Sequence, residues 1–147
     1  MNASFLIPND PHHLGLAILR VTAGVTFAVH GGQKLFVFGI AGVQSAFAQM
    51  GAPLPMVTGP LVGVLEFAGG LALVVGLLTR PIALALAFDM LGAIIIFHYK
   101  NGFFVPKGIE FVMMLGAAAL TLVFAGPGGL SLDAWLAGRN ANRTLPR

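Results

Sequence analysis

The fold is decided by residues 57–99, which read VTGPLVGVLEFAGGLALVVGLLTRPIALALAFDMLGAIIIFHY. This stretch holds two apolar runs, each close to the ~20 residues with which a helix crosses a bilayer. Only residues 78–81, LTRP, are left to join them. Thr79 is a candidate N-cap and Pro81 suits a first helical turn, so the stretch predicts two membrane-spanning helices in a tight antiparallel hairpin.

The sequence on both sides of this hairpin has the same apolar character. Of the 147 residues, 57% are hydrophobic and 9% are charged, whereas a soluble domain carries roughly a quarter charged residues. The pattern therefore predicts an all-α integral membrane four-helix bundle, with residues 1–147 forming a single transmembrane domain. The four predicted spans are about 14–35, 57–78, 82–99 and 109–125.

Two short helical segments are predicted at the membrane interface, outside the four spans. The amphipathic segment Val43–Met50, followed by the helix breaker PLP at 53–55, predicts one between spans 1 and 2. The sequence GPGG at 126–129 ends span 4. After it, residues 130–147 predict an interfacial segment containing Trp135, a residue that favours the headgroup level, and then a basic tail.

The composition also excludes several classes of function. No cysteine is present, which rules out disulfides, thiolate metal sites, iron–sulfur ligation and CxxC redox chemistry for this chain. The eight Lys and Arg are scattered singly rather than arranged in a stripe, so no nucleic-acid partner is expected, and no metal site is predicted. The N-terminal sequence MNASFLIPNDPHH lacks the features of a cleaved signal peptide, so we expect the first apolar segment to stay in the mature protein.

The distribution of positive charge predicts the orientation in the membrane. An even number of spans places both termini on one side. That side carries four arginines and the other carries three lysines: Arg80, Arg139, Arg143 and Arg147 against Lys34, Lys100 and Lys107. Because cytoplasmic loops carry an excess of Lys and Arg, both termini are predicted to be cytoplasmic.

Seven ionisable residues lie inside or at the ends of the predicted spans. They are Arg20, His30, Lys34, Glu66, Asp89, His98 and Glu110. A charge at the bilayer centre costs at least ~2.5–3.5 kcal/mol on insertion scales, so such residues normally pair or face a cavity. The seven residues therefore predict a shared polar interior.

The spacing of small residues predicts which helix faces enclose this interior. Steps of three and four place residues on one face of a helix, and each predicted span has one such stripe interrupted by an ionisable group. The stripes are Arg20, Gly24, Phe27, Gly31 and Lys34; Gly59, Gly63, Glu66 and Gly70; Ala85, Asp89 and Gly92; and Glu110, Met114, Ala117 and Thr121. Small residues at these positions let membrane helices pack closely.

Depth along the spans predicts two polar layers, with Arg20, Glu66 and Asp89 near mid-depth and the other four residues toward the outer end. Arg20 is predicted to pair with Glu66 or Asp89, and the carboxylate left over could carry a proton. An alternative interpretation is that these charges only specify helix packing. In that interpretation Lys34 is simply an anchor that extends toward the headgroups.

The order of the motifs resembles the DoxX family of bacterial membrane proteins. The resemblance covers about residues 14–133. It is carried by Leu19-Arg20-Val21, His30-Gly31-Gly32-Gln33-Lys34-Leu35, Glu66-Phe67-Ala68-Gly69-Gly70, Gly76-Leu77-Leu78-Thr79-Arg80, Asp89-Met90, His98, Asn101-Gly102-Phe103-Phe104, Gly108-Ile109-Glu110-Phe111 and Gly126-Pro127-Gly128-Gly129-Leu130-Ser131-Leu132-Asp133. At Asp89 the resemblance leads us to expect a polar residue, often Asn.

This resemblance implies a multi-pass helical bundle in the bacterial inner membrane, with relatives linked to redox functions. Such relatives include a subunit of a thiosulfate:quinone oxidoreductase, partners of thiosulfate sulfurtransferase and superoxide dismutase, and proteins tied to resistance against catechols and quinones. The family implies the architecture more closely than the reaction, so whether this chain is itself an enzyme stays open.

The first functional hypothesis is a subunit of a membrane-bound, quinone-linked oxidoreductase. Candidate headgroup-binding residues are His30, Lys34, His98 and Arg20, and candidate proton-exchanging residues are Glu66, Glu110 and Asp89. Phe27, Phe67 and Phe97 would hold the ring and tail. The alternatives are a non-catalytic membrane anchor or scaffold for soluble redox enzymes, and a small proton-coupled transporter acting as a homo-oligomer.

Overall fold

The computed structural model of the chain describes residues 11–143 and the side chains of residues 12–139. The described residues form helices joined by turns, with no strand among them, so the all-α prediction is confirmed. Six α-helices follow one another along the chain. They are α1 (Pro11–Gly32), α2 (Gly39–Gln49), α3 (Pro55–Val75), α4 (Thr79–Ala93), α5 (Glu110–Ala125) and α6 (Leu132–Arg143). Arg147 and the end of the predicted basic tail lie outside the described residues.

Within the described part of the chain, three helical stretches are long and apolar enough to cross a membrane: His12–Gln49, Pro55–Val75 and Thr79–Asn101. A fourth apolar helix, Glu110–Ala125, has 16 residues and rises about 24 Å. It is shorter than the ~30 Å hydrocarbon core. Together the four helices form the predicted all-α membrane bundle.

Helices α1 and α3 pack antiparallel and in backbone contact. A Cβ atom added to Gly31 would lie 2.2 Å from the backbone nitrogen of Phe67, and one added to Gly70 would lie 2.4 Å from that of Ala28. Only glycine permits helices to approach this closely. Gly24, Gly31 and Gly70 of the stripes predicted on the first two spans are therefore confirmed at the contact between them, whereas Gly59 packs against Val43 of α2.

Helices α4 and α5 also pack antiparallel, but through a face of α5 that the sequence did not predict. Gly116 packs against Met90, whereas the predicted stripe residue Met114 is 66% exposed. The buried face of α5 is Val112, Gly116, Ala119 and Leu122. The prediction was wrong because α5 is apolar all round, so small residues occur on more than one face and their spacing does not identify the packed one.

The predicted stripe on α4, which is Ala85, Asp89 and Gly92, also fails at one position. A Cβ atom added to Gly92 would meet nothing within 4 Å, so this glycine is not at a close helix contact.

A change of helix type and a glycine redirect the chain after α1. Residues Gln33–Phe38 continue α1 as a π-helix. Gly39 then adopts φ +70° and ψ 167°, a backbone conformation that favours glycine. Helix α2 therefore turns back to pack on α3, with Val43 against Gly59. This is the short helix predicted between spans 1 and 2.

The end of the bundle away from α2 is closed by the start of α6. Asp133 accepts hydrogen bonds from the backbone N–H groups of Leu78 (2.8 Å) and Thr79 (2.9 Å) and so caps the start of α4. The hydroxyl of Thr79 is buried and has no hydrogen-bond partner. The prediction that Thr79 is the N-cap was therefore wrong, because a carboxylate from a later helix occupies that role.

Candidate functional site

A cavity of about 680 Å³ opens among α1, α3, α4 and α5, at the end of the bundle away from α6. It brings together five of the seven predicted site residues: His30, Lys34, Glu66, Asp89 and His98. The remaining walls are largely apolar and aromatic, and include Phe47, Met50, Val62, Met90, Ala93, Phe97, Phe111, Val112 and Leu115. Apolar walls with a few convergent polar groups are typical of small-molecule sites.

The ion pair in this cavity joins α3 to the π-helical continuation of α1. The Lys34 ammonium donates a hydrogen bond to Glu66 Oε2. The Glu66 side chain is 5% exposed and that of Lys34 is 22% exposed. Lys34 therefore extends into the bundle toward a buried carboxylate, and its interpretation as an anchor for the headgroups was wrong.

Asp89 adds a second carboxyl group beside this ion pair. It lies against the side chain of Glu66 and interacts electrostatically with Lys34. Its Oδ2 atom is buried without a hydrogen-bond partner, a property that only Thr79 Oγ1 shares among the described side-chain nitrogen and oxygen atoms. The Lys34 ammonium thus pairs with Glu66, Asp89 adds a second carboxyl group close to this pair, and one oxygen of Asp89 is buried without a hydrogen-bond partner.

His98 lies at the end of the second π-helical segment, Ile94–His98, which continues α4. Its Nδ1 is 2.7 Å from the backbone carbonyl oxygen of Lys107. Because a carbonyl only accepts hydrogen bonds, Nδ1 carries a hydrogen, and Nε2 of the neutral ring is left as an acceptor. His30 is more exposed and packs against Phe111, with ring centroids 5.5 Å apart.

Aromatic rings form part of the cavity wall. Phe47 of α2 and Phe97 of α4 meet edge to face, with centroids 5.2 Å apart, so α2 contributes directly to the site. The prediction that Phe97 lines the cavity is confirmed. Phe27 instead lies in the central core, and Phe67 packs against Phe36; neither is part of the cavity wall.

Arg20 lies outside the cavity, near the opposite end of the bundle. Its guanidinium donates to four backbone carbonyls: those of Leu73, Val74 (2.7 Å), Pro127 (3.2 Å) and Leu130 (2.6 Å). The predicted pairing of Arg20 with Glu66 or Asp89 was therefore wrong, and with it the expectation that Arg20 binds a headgroup in the cavity.

The error came from the depth assigned to Arg20. Helix α1 begins at Pro11 and continues helically to Phe38, and Arg20 lies in the N-terminal half of this helix, as it already did in the predicted span 14–35. There it faces the C-terminal carbonyls of α3, a group that a helix leaves without its usual donors; the carbonyl of Leu73 also accepts a hydrogen bond from the N–H of Gly76 (3.0 Å).

Glu110 also lies outside the cavity, although it opens α5. It accepts a hydrogen bond from the backbone N–H of Val105 (2.8 Å) and so holds the loop that precedes α5. With Phe103, Phe111 and Met114 it lines a separate depression of about 400 Å³. The structure therefore does not bring Glu110 together with Glu66, as the hypothesis of a shared proton route required.

Asp133 is the structurally important charge that the sequence reasoning missed. It is an acidic residue four positions after the end of the Gly-Pro-Gly-Gly turn, in the first turn of α6, and this placement is typical of a cap for a helix start. Its target, however, is α4 rather than the helix in which it lies. Among the described residues, no group of three or more His, Asp or Glu side chains could hold a metal ion.

The fold and this cavity define a class of protein, a small multi-pass helical membrane protein with a cavity inside its bundle that is lined by apolar side chains and a few ionisable ones. A family model described as DoxX matches residues 15–99, which include His30, Lys34, Glu66, Asp89 and His98 of the cavity. The chain belongs to the DoxX family.

The relatives agree with this assignment. The chain is 33% identical to the inner membrane protein YphA of Escherichia coli over 80% of this chain and 87% of that protein. It is 34% identical to the inner membrane protein YqjF of the same organism over 82% and 90%. It is 30% identical over 85% and 89% to CatD of Bacillus subtilis, which is named as a candidate oxidoreductase. No solved structure matches the chain.

The outward surface of the bundle agrees with a membrane location. Large apolar side chains are exposed on successive turns of the helices, including Val29, Leu61, Phe88 and Phe124, each at least 61% exposed. In water such a surface would promote aggregation, whereas hydrocarbon solvates it. The chain is therefore an integral membrane protein in contact with the lipid bilayer.

Proposed function

We propose that this chain is the quinone-binding membrane subunit of an inner-membrane oxidoreductase. The observation that carries the proposal is the cluster of Lys34, Glu66 and Asp89 at the wall of an aromatic-lined cavity. An apolar ring fits such walls, and its oxygen atoms need a small number of polar partners. The name of the relative CatD supports oxidoreductase function for this family.

The cavity residues supply binding and proton exchange. The ring lies between Phe47, Phe97 and Phe111, and one ring oxygen accepts a hydrogen bond from Lys34. Reduction of a quinone takes up two electrons and two protons and forms two O–H bonds. Asp89 and Glu66 are the carboxyl groups placed to pass protons to those oxygens.

The electrons come from a soluble or membrane redox partner. The chain has no cysteine with which to hold an iron–sulfur cluster or to form a redox disulfide. A partner subunit therefore belongs to the proposal. The thiosulfate-linked reactions that the resemblance to the DoxX family implies fit the same arrangement, with the sulfur chemistry carried out by that partner.

Charge counts support a proposed orientation in the membrane. Glu66 neutralises Lys34, so Lys100 and Lys107 are the remaining lysines at the cavity end. Arg80 and Arg139 lie at the other end, and Arg143 and Arg147 follow them in the sequence. The positive-inside tendency therefore favours cytoplasmic termini and a cavity in the half of the membrane that faces away from the cytoplasm.

The test uses the full chain in lipid nanodiscs and in membranes that contain its redox partner. Glu66→Gln keeps the size of the side chain but removes its charge, and it should lower both quinone affinity and quinol-coupled turnover at least tenfold. Glu110→Gln is the matched control, since Glu110 lies outside the cavity, and it should leave both unchanged. Full turnover by a correctly inserted Glu66→Gln variant would exclude the proposed role.

Two other functions predict different results in the same experiments. A scaffold would bind no quinone, and a Lys34→Met, Glu66→Met double variant would still co-purify with redox enzymes. A transporter would move a labelled solute across a liposome membrane without any redox partner. Either result, with no quinone bound to the wild-type chain, would replace the proposed function.

A further inference from the structure

The cavity has its mouth at the end of α4 and in the loop that leads to α5. Asn101, Pro106 and Lys107 belong to this loop region, and all three line the cavity. They are also exposed at the surface of the protein. Water therefore reaches the cavity from the side of the membrane that bears the α4–α5 loop.

Toward α6 the cavity ends at a layer of close-packed apolar side chains, which we call the apolar layer. Each of the four main helices contributes fully buried residues to it, and all of them belong to one core cluster: Phe27, Leu73, Leu86, Ala119 and Leu122. On α4 the stretch from Leu86 back to Thr79, the first residue of the helix, rises about 10 Å. A close-packed apolar layer of this thickness leaves no room for a chain of water molecules.

The apolar layer also lacks side chains that could pass a proton through it. Its helix segments, 21–27, 67–75, 81–88 and 116–125, contain no Asp, Glu, His, Lys or Arg. Arg20 lies beyond the layer and donates to four backbone carbonyls, and an arginine keeps its protons in proteins. Proton relays inside membranes use ionisable side chains or water. The layer therefore separates the carboxyl groups of the cavity from the α6 end.

We infer that the cavity exchanges protons with one side of the membrane alone, the side that bears the α4–α5 loop. The inference rests on the proposed function and assigns a source to the protons of that reaction. Reduction of one quinone in the cavity takes two electrons from the redox partner and two protons, which enter through the mouth and form the two O–H bonds. In the proposed orientation these protons come from outside the cytoplasm.

Single cysteines test which side of the membrane supplies water to the cavity. The sequence contains no cysteine, so each introduced thiol reports without background. Ala93→Cys lines the cavity, Ala119→Cys lies in the apolar layer, and Asn101→Cys and Ala137→Cys mark the two exposed ends. A charged methanethiosulfonate reagent that cannot cross the membrane is added to spheroplasts and to inverted vesicles, which present opposite sides.

Ala93→Cys is expected to react from the same side as Asn101→Cys, and at least tenfold more slowly from the side of Ala137→Cys. Ala119→Cys should react from neither side. Equal rates for Ala93→Cys from both sides, or no reaction from either, would overturn the inference. If Ala93→Cys does not fold, Leu115→Cys lines the same cavity and takes its place.

A membrane-impermeant carbodiimide tests the carboxyl groups themselves, because it reacts with protonated carboxyls. Mass spectrometry should locate the modification at Glu66 or Asp89, at least tenfold faster from the loop side than from the α6 side. Modification that is no faster from the loop side would overturn the inference. Quinone binding to the wild-type chain is measured separately. Quinone binding together with access from both sides would overturn this inference alone, whereas one-sided access without quinone binding would overturn the proposed function alone.

Discussion

Lys34 and Glu66 are 32 residues apart in the chain and meet as a buried ion pair between α3 and the π-helical end of α1. The pair lies beside two close glycine contacts, in which Gly31 meets the backbone of Phe67 and Gly63 meets the side chains of Leu35 and Lys34. The lysine and the glutamate are thus held on facing helices that pack closely at these glycines. This contact gives the cavity its polar wall.

Breaking this pair on one side should cost more than replacing both of its members. Lys34→Met leaves Glu66 buried without its cation and is expected to lower the free energy of unfolding by ~3–5 kcal/mol. The Lys34→Met, Glu66→Met double variant should recover most of that loss, since apolar side chains of similar size often replace a buried pair without cost. Thermal unfolding in detergent measures the difference. Losses that simply add would contradict the structural pairing.

Arg20 should be irreplaceable by lysine. Its guanidinium donates to four backbone carbonyls from α3 and the segment before α6, a geometry that a single ammonium cannot reproduce. Arg20→Lys is expected to lower stability by at least about 2 kcal/mol, because some of these buried carbonyls would lose their donors.

Protease cleavage between Gly126 and Leu130 is expected to accelerate in the Arg20→Lys variant. Ligand affinity of the folded variant should match the wild type, since the cavity is at the other end. A fall in affinity without a change in stability would instead place Arg20 in the ligand site.

Asp133 and Thr79 provide a matched pair of variants at the start of α4. Asp133→Ala removes a carboxylate that accepts two backbone hydrogen bonds and should lower stability by about 1 kcal/mol. Thr79→Val removes a buried hydroxyl that has no partner and should be neutral or stabilising. Thermal unfolding of both variants checks this. The reverse order of effects would show that Thr79 is the cap.

The glycines divide into those that determine helix contact and those that do not. Gly31→Ala would place a Cβ 2.2 Å from the backbone nitrogen of Phe67, and separating α1 from α3 should cost ~1–3 kcal/mol. Gly92→Ala meets no atom within 4 Å and should be neutral or stabilising by up to about 1 kcal/mol. Unfolding measurements on the two variants test the distinction. Equal losses would argue against the close α1–α3 contact.

The orientation can be read with reporters at two positions. A fluorescent protein fused to the C-terminus should fold and fluoresce in the cytoplasm, and alkaline phosphatase at the same place should be inactive. Alkaline phosphatase fused after Asn101, at the cavity end, should be active. Lys34→Met should leave this pattern unchanged because Glu66 already neutralises that lysine. A reversed pattern would place the cavity on the cytoplasmic side.

Much of the fold could be predicted because its determinants are local. The apolar runs and the Gly-Pro-Gly-Gly turn indicate where helices begin and end. The stripes on α1 and α3 were predicted correctly since Gly24, Gly31 and Gly70 lie in step with Lys34 and Glu66 on the faces that meet. On α5 the same reasoning failed, because an apolar helix in lipid has no polar face to mark its orientation.

Five of the seven predicted site residues gather at one cavity, but their partners could not be predicted. Sequence reasoning matched charges by expected depth, and it placed Arg20 at mid-depth although Arg20 lies in the N-terminal half of both the predicted span and the observed helix. It also considered only side chains as partners. Arg20 instead binds backbone carbonyls, which have no signature in the sequence.

The sequence by itself determined that the helices lie in lipid and how many main apolar helices there are. It also determined which charged residues must lie inside the bundle, because hydrocarbon excludes an unpaired charge wherever the helices pack. Only the tertiary structure decided which charges meet. Antiparallel packing of α1 on α3 places Lys34 opposite Glu66 and Arg20 opposite the end of α3. That pairing depends on the relative shift of two helices along their axes, which is set by contacts between residues far apart in the chain.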